Sequence, residues 1–221
     1  MQSFSSPAIF LQELIGYEQY LPELLELILD VWPKVNFSGM TARKLEPDIT
    51  ALLFLGLRDK IEQRGNVPFY VWSEVQDFDA QSGKQLTRSD IEFHPVGTGF
   101  RITHQKPYLA TEAKCLRVIQ GAKFRANTGE YLKEMANFVT DAKEKFPAFA
   151  VMLGYVMDGE TALAFEALQE AIQKSKLPQL YNPSGIAAHA PLTHPPHGIT
   201  QHITSLASNG QRPIYHLILP F

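Results

Sequence analysis

The stretch YLATEAKCLRV, residues 108–118, decides the fold. Its alternating pattern predicts a strand that carries Glu112 and Lys114 on one face and Ala113 and Cys115 on the other. Charged side chains are unusual in an otherwise apolar strand unless they have a partner or a function. An acid-x-Lys triplet is common by chance, so it is the position of Glu112 and Lys114 within a strand that marks a candidate site.

Two further strands are predicted upstream of this stretch. Residues 67–78 are rich in aromatic and β-branched side chains, which favour a strand. Residues 89–94 alternate with period two and place Asp90, Glu92 and His94 on one face and Ile91 and Phe93 on the other. Antiparallel pairing of the three strands would bring Asp90 close to Glu112 and Lys114.

Helices are predicted on both sides of these strands. Apolar residues spaced by three and four predict helices at residues 8–32 with a break at Pro22, at 47–65 with Glu46 at the start, from Thr128, and at 161–174. The apolar run 149–156 predicts a strand buried on both faces, and residues 177–212 predict a loop before a closing strand at 214–219. This order predicts an α/β fold with a mixed central sheet flanked by helices.

Length and composition limit the classes of protein. A chain of 221 residues favours one domain, which we divide into an N-terminal helical segment (1–44), a core (45–159) and a loop-rich C-terminal extension (160–221). With 45% apolar and 19% charged residues, the chain is neither disordered nor of low complexity. The net charge of -3 excludes a histone-like surface, so a nucleic-acid site would be a local patch.

The single cysteine, Cys115, excludes an internal disulfide and a multi-cysteine zinc site, which fits a reducing compartment. The N-terminus lacks the basic segment of a secretory signal, and no run of about 18 apolar residues is present. We therefore expect a soluble cytoplasmic protein without a membrane partner.

The three polar strand residues have the chemistry of a metal-dependent hydrolase. Asp90, Glu112 and the carbonyl of Ala113 offer the hard oxygen ligands that Mg²⁺ or Mn²⁺ prefers. Lys114 would lie beside the metal-bound water, where an ammonium group can orient the nucleophile or help to deprotonate it. These are the groups that phosphodiester hydrolysis requires.

Asp90 followed by Glu112-x-Lys114 across a strand pair, between two helices, resembles the PD-(D/E)xK superfamily of restriction-endonuclease-like nucleases. The resemblance implies an αβββαβ core in which Asp90 and Glu112 are metal ligands and Lys114 is the catalytic lysine. It also implies an assisting catalytic role for Glu46, which matches the acidic residue on the first core helix. The sequence departs from the family pattern at Ser89, where many members have proline, and in the long connection at residues 95–107.

The same resemblance implies metal-dependent cleavage of nucleic acid, with DNA favoured over RNA. Superfamily members without a recognition domain often work in prokaryotic antiviral defence, repair or mobile-element systems, beside a partner protein that supplies recognition. The resemblance is also compatible with a homodimer as the active form of this chain. Three alternatives stay open. In the first, the chain is a catalytically inactive nucleic-acid-binding or scaffold subunit. In the second, it is a carboxylate enzyme that acts on a small phosphorylated substrate. In the third, Asp90, Glu112 and Lys114 only form ion pairs on the surface of the sheet.

Basic residues are concentrated just after the triplet. Five of the twenty residues from 114 to 133 are basic and only Glu130 opposes them. This predicts a nucleic-acid-binding patch made of Arg117, Lys123, Arg125 and Lys133. The alternative is an ordinary solvated edge. The histidines between 189 and 202 match no zinc spacing and are expected to face solvent or pack in a loop.

Overall fold

The computed structural model describes residues 20–37, 46–78, 85–96, 107–120, 122–140, 149–190, 192, 196–203 and 211–221. The helices are α1 (Tyr20–Val31), α2 (Glu46–Arg64), α3 (Thr128–Thr140) and α4 (Thr161–Gln173), and a 3₁₀ turn at Trp32–Lys34 follows α1. The strands are β1 (Phe69–Phe78), β2 (Gln85–Pro95), β3 (Leu109–Gln120), β4 (Lys123–Ala126), β5 (Phe149–Val156), β6 (His197–Ile203) and β7 (Gln211–Pro220). Within these ranges, none of the helices has the length and apolar character needed to cross a membrane.

The seven strands form one mixed sheet in the order β1-β2-β3-β5-β7-β6, with β4 paired to β3. The pairs β1–β2 and β2–β3 are antiparallel, β3, β5 and β7 run parallel, and β6 is antiparallel to β7. The prediction of an α/β fold with a mixed sheet flanked by helices is confirmed. The elements α2, β1, β2, β3, α3 and β5 also occur in the predicted order, with the unpredicted strand β4 between β3 and α3.

Each face of the sheet is covered by two helices. On one face, α1 and α2 bury side chains such as Leu24 and Leu53 against the sheet, and on the other α3 and α4 bury Met135 and Leu168. Strand β5 lies in the middle and is buried along almost its whole length, as its continuous apolar sequence predicts.

The predicted C-terminal loop is wrong in part, because residues 197–203 form β6 and extend the sheet beyond β7. The sequence HGITQHI conceals this strand because two of its polar side chains, Thr200 and His202, are buried and hydrogen-bonded to each other. Strand β4 was not predicted either, since its four residues are all exposed. Pro22 lies in the first turn of α1, where a missing backbone N–H is tolerated, and residues 8–19 lie outside the described residues.

The pairing of β2 with β3 is short, and this opens the sheet locally. The two strands pair only at Phe93–Leu109, Glu92–Ala110 and Ile91–Thr111. Strand β3 continues beyond Thr111 with β5 along its other edge, and β4 joins the open edge only from Arg117 onward. A gap therefore borders β3 between Thr111 and Arg117.

Candidate active site

Two carboxylates bind the backbone N–H groups that the gap leaves without a neighbouring strand. Asp90 Oδ2 accepts a hydrogen bond from the Ala113 N–H at 2.7 Å, and Glu46 Oε2 accepts one from the Cys115 N–H at 2.8 Å. A buried backbone N–H needs an acceptor, and here side chains provide what a continuing β2 would have provided. The gap therefore fixes the positions of Asp90 and Glu46.

The ammonium group of Lys114 lies between the carboxylates of Glu46 and Glu112. Its ammonium Nζ donates to Glu46 Oε1 at 2.6 Å and lies 3.7 Å from Glu112 Oε1. These side chains are largely withdrawn from solvent, with exposed fractions of 17% for Lys114, 24% for Glu46 and 16% for Glu112. The structure thus brings Glu46, Glu112 and Lys114 into direct proximity, and Asp90 is linked to them through the Ala113 amide.

A hydrogen bond within the first turn of α2 fixes the backbone of Glu46. The Thr50 hydroxyl donates to the Glu46 carbonyl at 2.9 Å. Pro47 occupies the first turn, where its fixed backbone angle suits a helix start and its missing N–H has no intrahelical role. The side chain of Glu46 can therefore reach the gap because its helix begins beside β3.

The site is rich in negative charge for its degree of burial. Burial first, and the charge of Asp90 second, raise the pKa of Glu112 to about 8, against the smaller opposing effect of Lys114. Burial works against the charge on Lys114, but its hydrogen bond to Glu46 and the surrounding carboxylates outweigh this and raise its pKa. These shifts favour the ammonium form of Lys114, and they make the charged form of Glu112 harder to maintain than that of an exposed carboxylate.

A further carboxylate, Glu134, approaches the site from α3 and adds to the raised pKa of Glu112. Sequence reasoning missed it. Glu134 directly precedes Met135, which belongs to the apolar stripe of α3. An acidic residue at the edge of that stripe was the one sign in the sequence that its carboxylate could face the sheet. Its orientation is supported by Asn137, whose side-chain amide donates to Glu134 Oε2 at 2.8 Å.

The donor atoms fit a hard divalent cation only if water and substrate complete its coordination. Among the described residues, no group of three or more His, Cys, Asp or Glu side chains is arranged to hold a metal ion. Asp90 and Glu112 are two carboxylates, and the Ala113 carbonyl lies on the same strand edge as its N–H, which faces the gap. Mg²⁺ is commonly bound in this way, through one or two carboxylates plus water and phosphate oxygens.

The predicted basic patch is divided. Arg117 forms an ion pair with Asp158, in which its Nε and Nη2 donate to Asp158 Oδ2 at 2.9 and 2.6 Å. This pair connects β3 to the turn that follows β5. Lys123 and Arg125 are exposed on β4. Lys133 is exposed on α3 and lies 3.9 Å from Glu130.

The other polar residues considered in the sequence have partners of their own. His94 Nε2 donates to Glu92 Oε2 at 2.8 Å, and both side chains are buried. His197 Nδ1 accepts a hydrogen bond from the Ile218 N–H at 3.1 Å, and His202 Nδ1 donates to the Gln179 carbonyl at 3.1 Å, so both serve the packing of β6. His194 lies outside the described residues.

Comparisons of this chain with protein-family models, with curated proteins and with solved structures gave no match. The resemblance to the PD-(D/E)xK superfamily therefore depends on the residues of the site and on the order of the elements that carry them. Those elements are the start of α2, the middle of β2 and the middle of β3.

Proposed function

We propose that this protein is a metal-dependent nuclease of the PD-(D/E)xK type, with a restriction-endonuclease-like core, that hydrolyses phosphodiester bonds and prefers DNA to RNA. One observation carries the proposal: Glu46, Asp90, Glu112 and Lys114 meet at a gap in the sheet. Like charges in a partly buried site oppose folding. Such clusters are more often kept for function than for stability.

Mg²⁺ or Mn²⁺ would be held by Asp90, Glu112 and the Ala113 carbonyl. When bound, the cation supplies charge stabilisation at the phosphate and a more acidic water. A cation bound there would offset the negative charge of Asp90 and Glu112 and would attract the phosphate to its own side of the site.

Lys114 is the residue that we expect to act directly on the reacting groups. A general base needs a pKa near the working pH, whereas the pKa of Lys114 is raised. Its role in this site is therefore electrostatic: it orients the attacking water and stabilises the charge that develops on the phosphate oxygens. Glu46 holds the ammonium group in place through the 2.6 Å hydrogen bond.

The exposed cations Lys123, Arg125 and Lys133 are proposed to contact the phosphate backbone away from the reaction centre. By analogy with the superfamily, we place the activity in antiviral defence or mobile-element biology beside a protein that supplies target recognition. Arg117 has a smaller part in this surface, because Asp158 occupies its guanidinium group.

A cleavage assay tests the proposal. Wild-type protein is incubated with plasmid and with DNA and RNA oligonucleotides in Mg²⁺, Mn²⁺ or EDTA. Glu112→Gln removes the charge and keeps the size of the side chain, and Glu62→Gln, on the exposed outer face of α2, is the matched control. We expect cleavage by the wild type and by Glu62→Gln in the presence of metal, and none by Glu112→Gln. Equal cleavage by all three proteins would contradict the proposal, and binding without any cleavage would favour the inactive subunit.

A further inference from the structure

Three aromatic rings form a cluster on β1 and β2, which we call the aromatic platform: Tyr70, Trp72 and His94. The Tyr70 and His94 rings are stacked, with centroids 5.5 Å apart and planes inclined by 8°. The Trp72 ring lies 5.9 Å from Tyr70 and 6.3 Å from His94. Trp72 is 43% exposed, whereas the other tryptophan, Trp32, is only 4% exposed.

Contacts with buried side chains hold the rings of the aromatic platform in place. His94 is fixed by its hydrogen bond to Glu92, and both of these side chains are buried. Tyr70 in turn rests flat on the His94 ring. A flat ligand that stacks on Trp72 would therefore meet a surface that is already ordered, and less conformational entropy is lost on binding to such a surface.

The platform lies on the face of the sheet that carries the candidate site. Trp72 is directly opposite Glu92 in the β1–β2 ladder, and Glu92 is two residues from Asp90 on the same face. Strand geometry puts the Cα atoms of Trp72 and Asp90 about 8 Å apart. Since stacked nucleotides rise by about 3.4 Å each, Trp72 lies about two nucleotides from Asp90.

The charges near Trp72 favour a nucleobase over a phosphate. Its neighbours on this face include the carboxylates of Glu92 and Asp90, which repel a phosphate but leave an uncharged, flat base free to stack on the indole. A protein partner would need a continuous apolar surface of some hundreds of Å², far more than one indole ring provides. Bases inside a duplex are already paired and stacked, so the base on Trp72 must be unpaired.

We propose that the aromatic platform stacks an unpaired nucleobase, so that the substrate strand is single-stranded or frayed where it passes Asp90. This inference depends on the proposed function for its choice of nucleic acid as the ligand. It narrows the substrate class from nucleic acid in general to nucleic acid with unpaired bases next to the cleaved bond.

Tryptophan fluorescence tests the inference directly. The probes are a mixed-sequence 12-nucleotide DNA strand and the blunt duplex of the same sequence, titrated into the wild-type protein in EDTA so that no cleavage occurs. Trp32 is buried against Tyr155, so a change in the solvent-exposed part of the emission reports on Trp72. We expect the single strand to quench this emission and the duplex to leave it nearly unchanged.

Affinity measurements with variants complete the test. Trp72→Ala should weaken single-strand binding about 5- to 150-fold, the contribution of one stacked base, while Trp72→Phe retains most of it. Leu163→Ala, which removes a side chain that is 48% exposed on α4, is the control and should bind as the wild type does. Unchanged emission together with unchanged affinity of Trp72→Ala would overturn the inference, and so would the absence of any binding.

The outcomes for the platform and for the proposed function are distinguishable. Quenching and a Trp72→Ala defect without cleavage in any metal would support the platform and reject the nuclease. Cleavage that depends on Glu112 but is indifferent to Trp72→Ala would support the nuclease and reject the platform.

Discussion

The phenol of Tyr155 in β5 donates to the hydroxyl of Thr50 in α2, with the two oxygens 2.9 Å apart. The Thr50 hydroxyl donates its own proton to the Glu46 carbonyl, so Tyr155 is the donor in its hydrogen bond with Thr50. Tyr155 is itself stacked on Trp32, with ring centroids 5.2 Å apart and planes inclined by 9°. A rigid part of the core thus determines where the first residue of α2 lies, and with it the carboxylate that holds Lys114.

Replacing Tyr155 by phenylalanine tests this connection. The ring stays in its stack, but the buried Thr50 hydroxyl loses its donor, and we expect the free energy of unfolding to fall by about 1 kcal/mol. We also expect slower cleavage, because Glu46 is held less firmly. Urea unfolding and single-turnover rates measure both effects, with Tyr181→Phe at an exposed position as the control. An unfolding free energy equal to that of the wild type would contradict the described hydrogen bond.

Lys114 and Glu46 should behave as one functional unit. Lys114→Ala is expected to slow the chemical step by about 10² to 10³, the usual effect of removing one group that stabilises charge in the transition state, with little change in nucleic-acid affinity. Glu46→Gln keeps an acceptor for the Cys115 N–H but loses the charge opposite Lys114, so a smaller decrease is expected. In single-turnover assays the double variant should be no slower than Lys114→Ala, because Glu46 acts through Lys114. Rate losses that simply multiply would show that Glu46 has a separate role.

The basic residues should separate into two classes. Replacing Lys123 and Arg125 by glutamine should weaken binding to all sequences alike and flatten the plot of log affinity against log salt by up to about 0.9 per lost phosphate contact on duplex DNA. Arg117→Ala instead breaks the ion pair with Asp158 and should lower the melting temperature. Filter binding over a salt series and thermal unfolding distinguish the two classes. A double variant with the wild-type slope would show that β4 does not contact the substrate.

Acid should destabilise the fold through His216. This buried side chain accepts a hydrogen bond from Tyr131 and donates one to Thr200, and burial together with His202 lowers its pKa to about 3. Between its ordinary pKa of about 6.5 and pH 3 the unfolded chain binds a proton that the folded chain does not. The contribution of His216 to stability is therefore fully present above about pH 6.5 and falls with decreasing pH, by up to about 1.4 kcal/mol per pH unit.

Urea unfolding at pH 7.5, 6 and 5 measures this dependence. His216→Gln should be less stable at pH 7.5, because its buried hydrogen bonds change, but its stability should fall less steeply between pH 6.5 and 5. His189→Gln is the histidine control and should keep the wild-type slope. Parallel pH profiles for the wild type and His216→Gln would contradict this explanation.

Much of the site could be predicted because strand alternation is a local property. The common face of Glu112 and Lys114 follows from their spacing, and the place of Glu46 follows from the helix start at Pro47. The end of the β2–β3 ladder at Thr111 depends on packing from β5 and β4, which the sequence does not encode locally. For that reason the binding of Asp90 to the Ala113 N–H could not be foreseen.

Two other contacts could not be predicted for the same reason, because each joins residues that are far apart in the sequence or on different strands. Asp158 lies two residues beyond the predicted strand 149–156, and nothing near it in the sequence indicates an ion pair with Arg117, which lies 41 residues earlier in the chain. Strand β6 has polar residues where a buried strand usually has apolar ones. Its Thr200 is satisfied only through His202 and His216, which the fold brings together from neighbouring strands.

Single-turnover cleavage with Asp90→Asn tests whether Asp90 and Glu112 form the metal site of a nuclease. Asparagine keeps a side-chain oxygen to accept the Ala113 N–H and removes only the negative charge. We expect an unchanged or higher melting temperature, since a repelling charge is lost, together with loss of metal-dependent cleavage. Cleavage by Asp90→Asn at the wild-type rate in Mg²⁺ would contradict it.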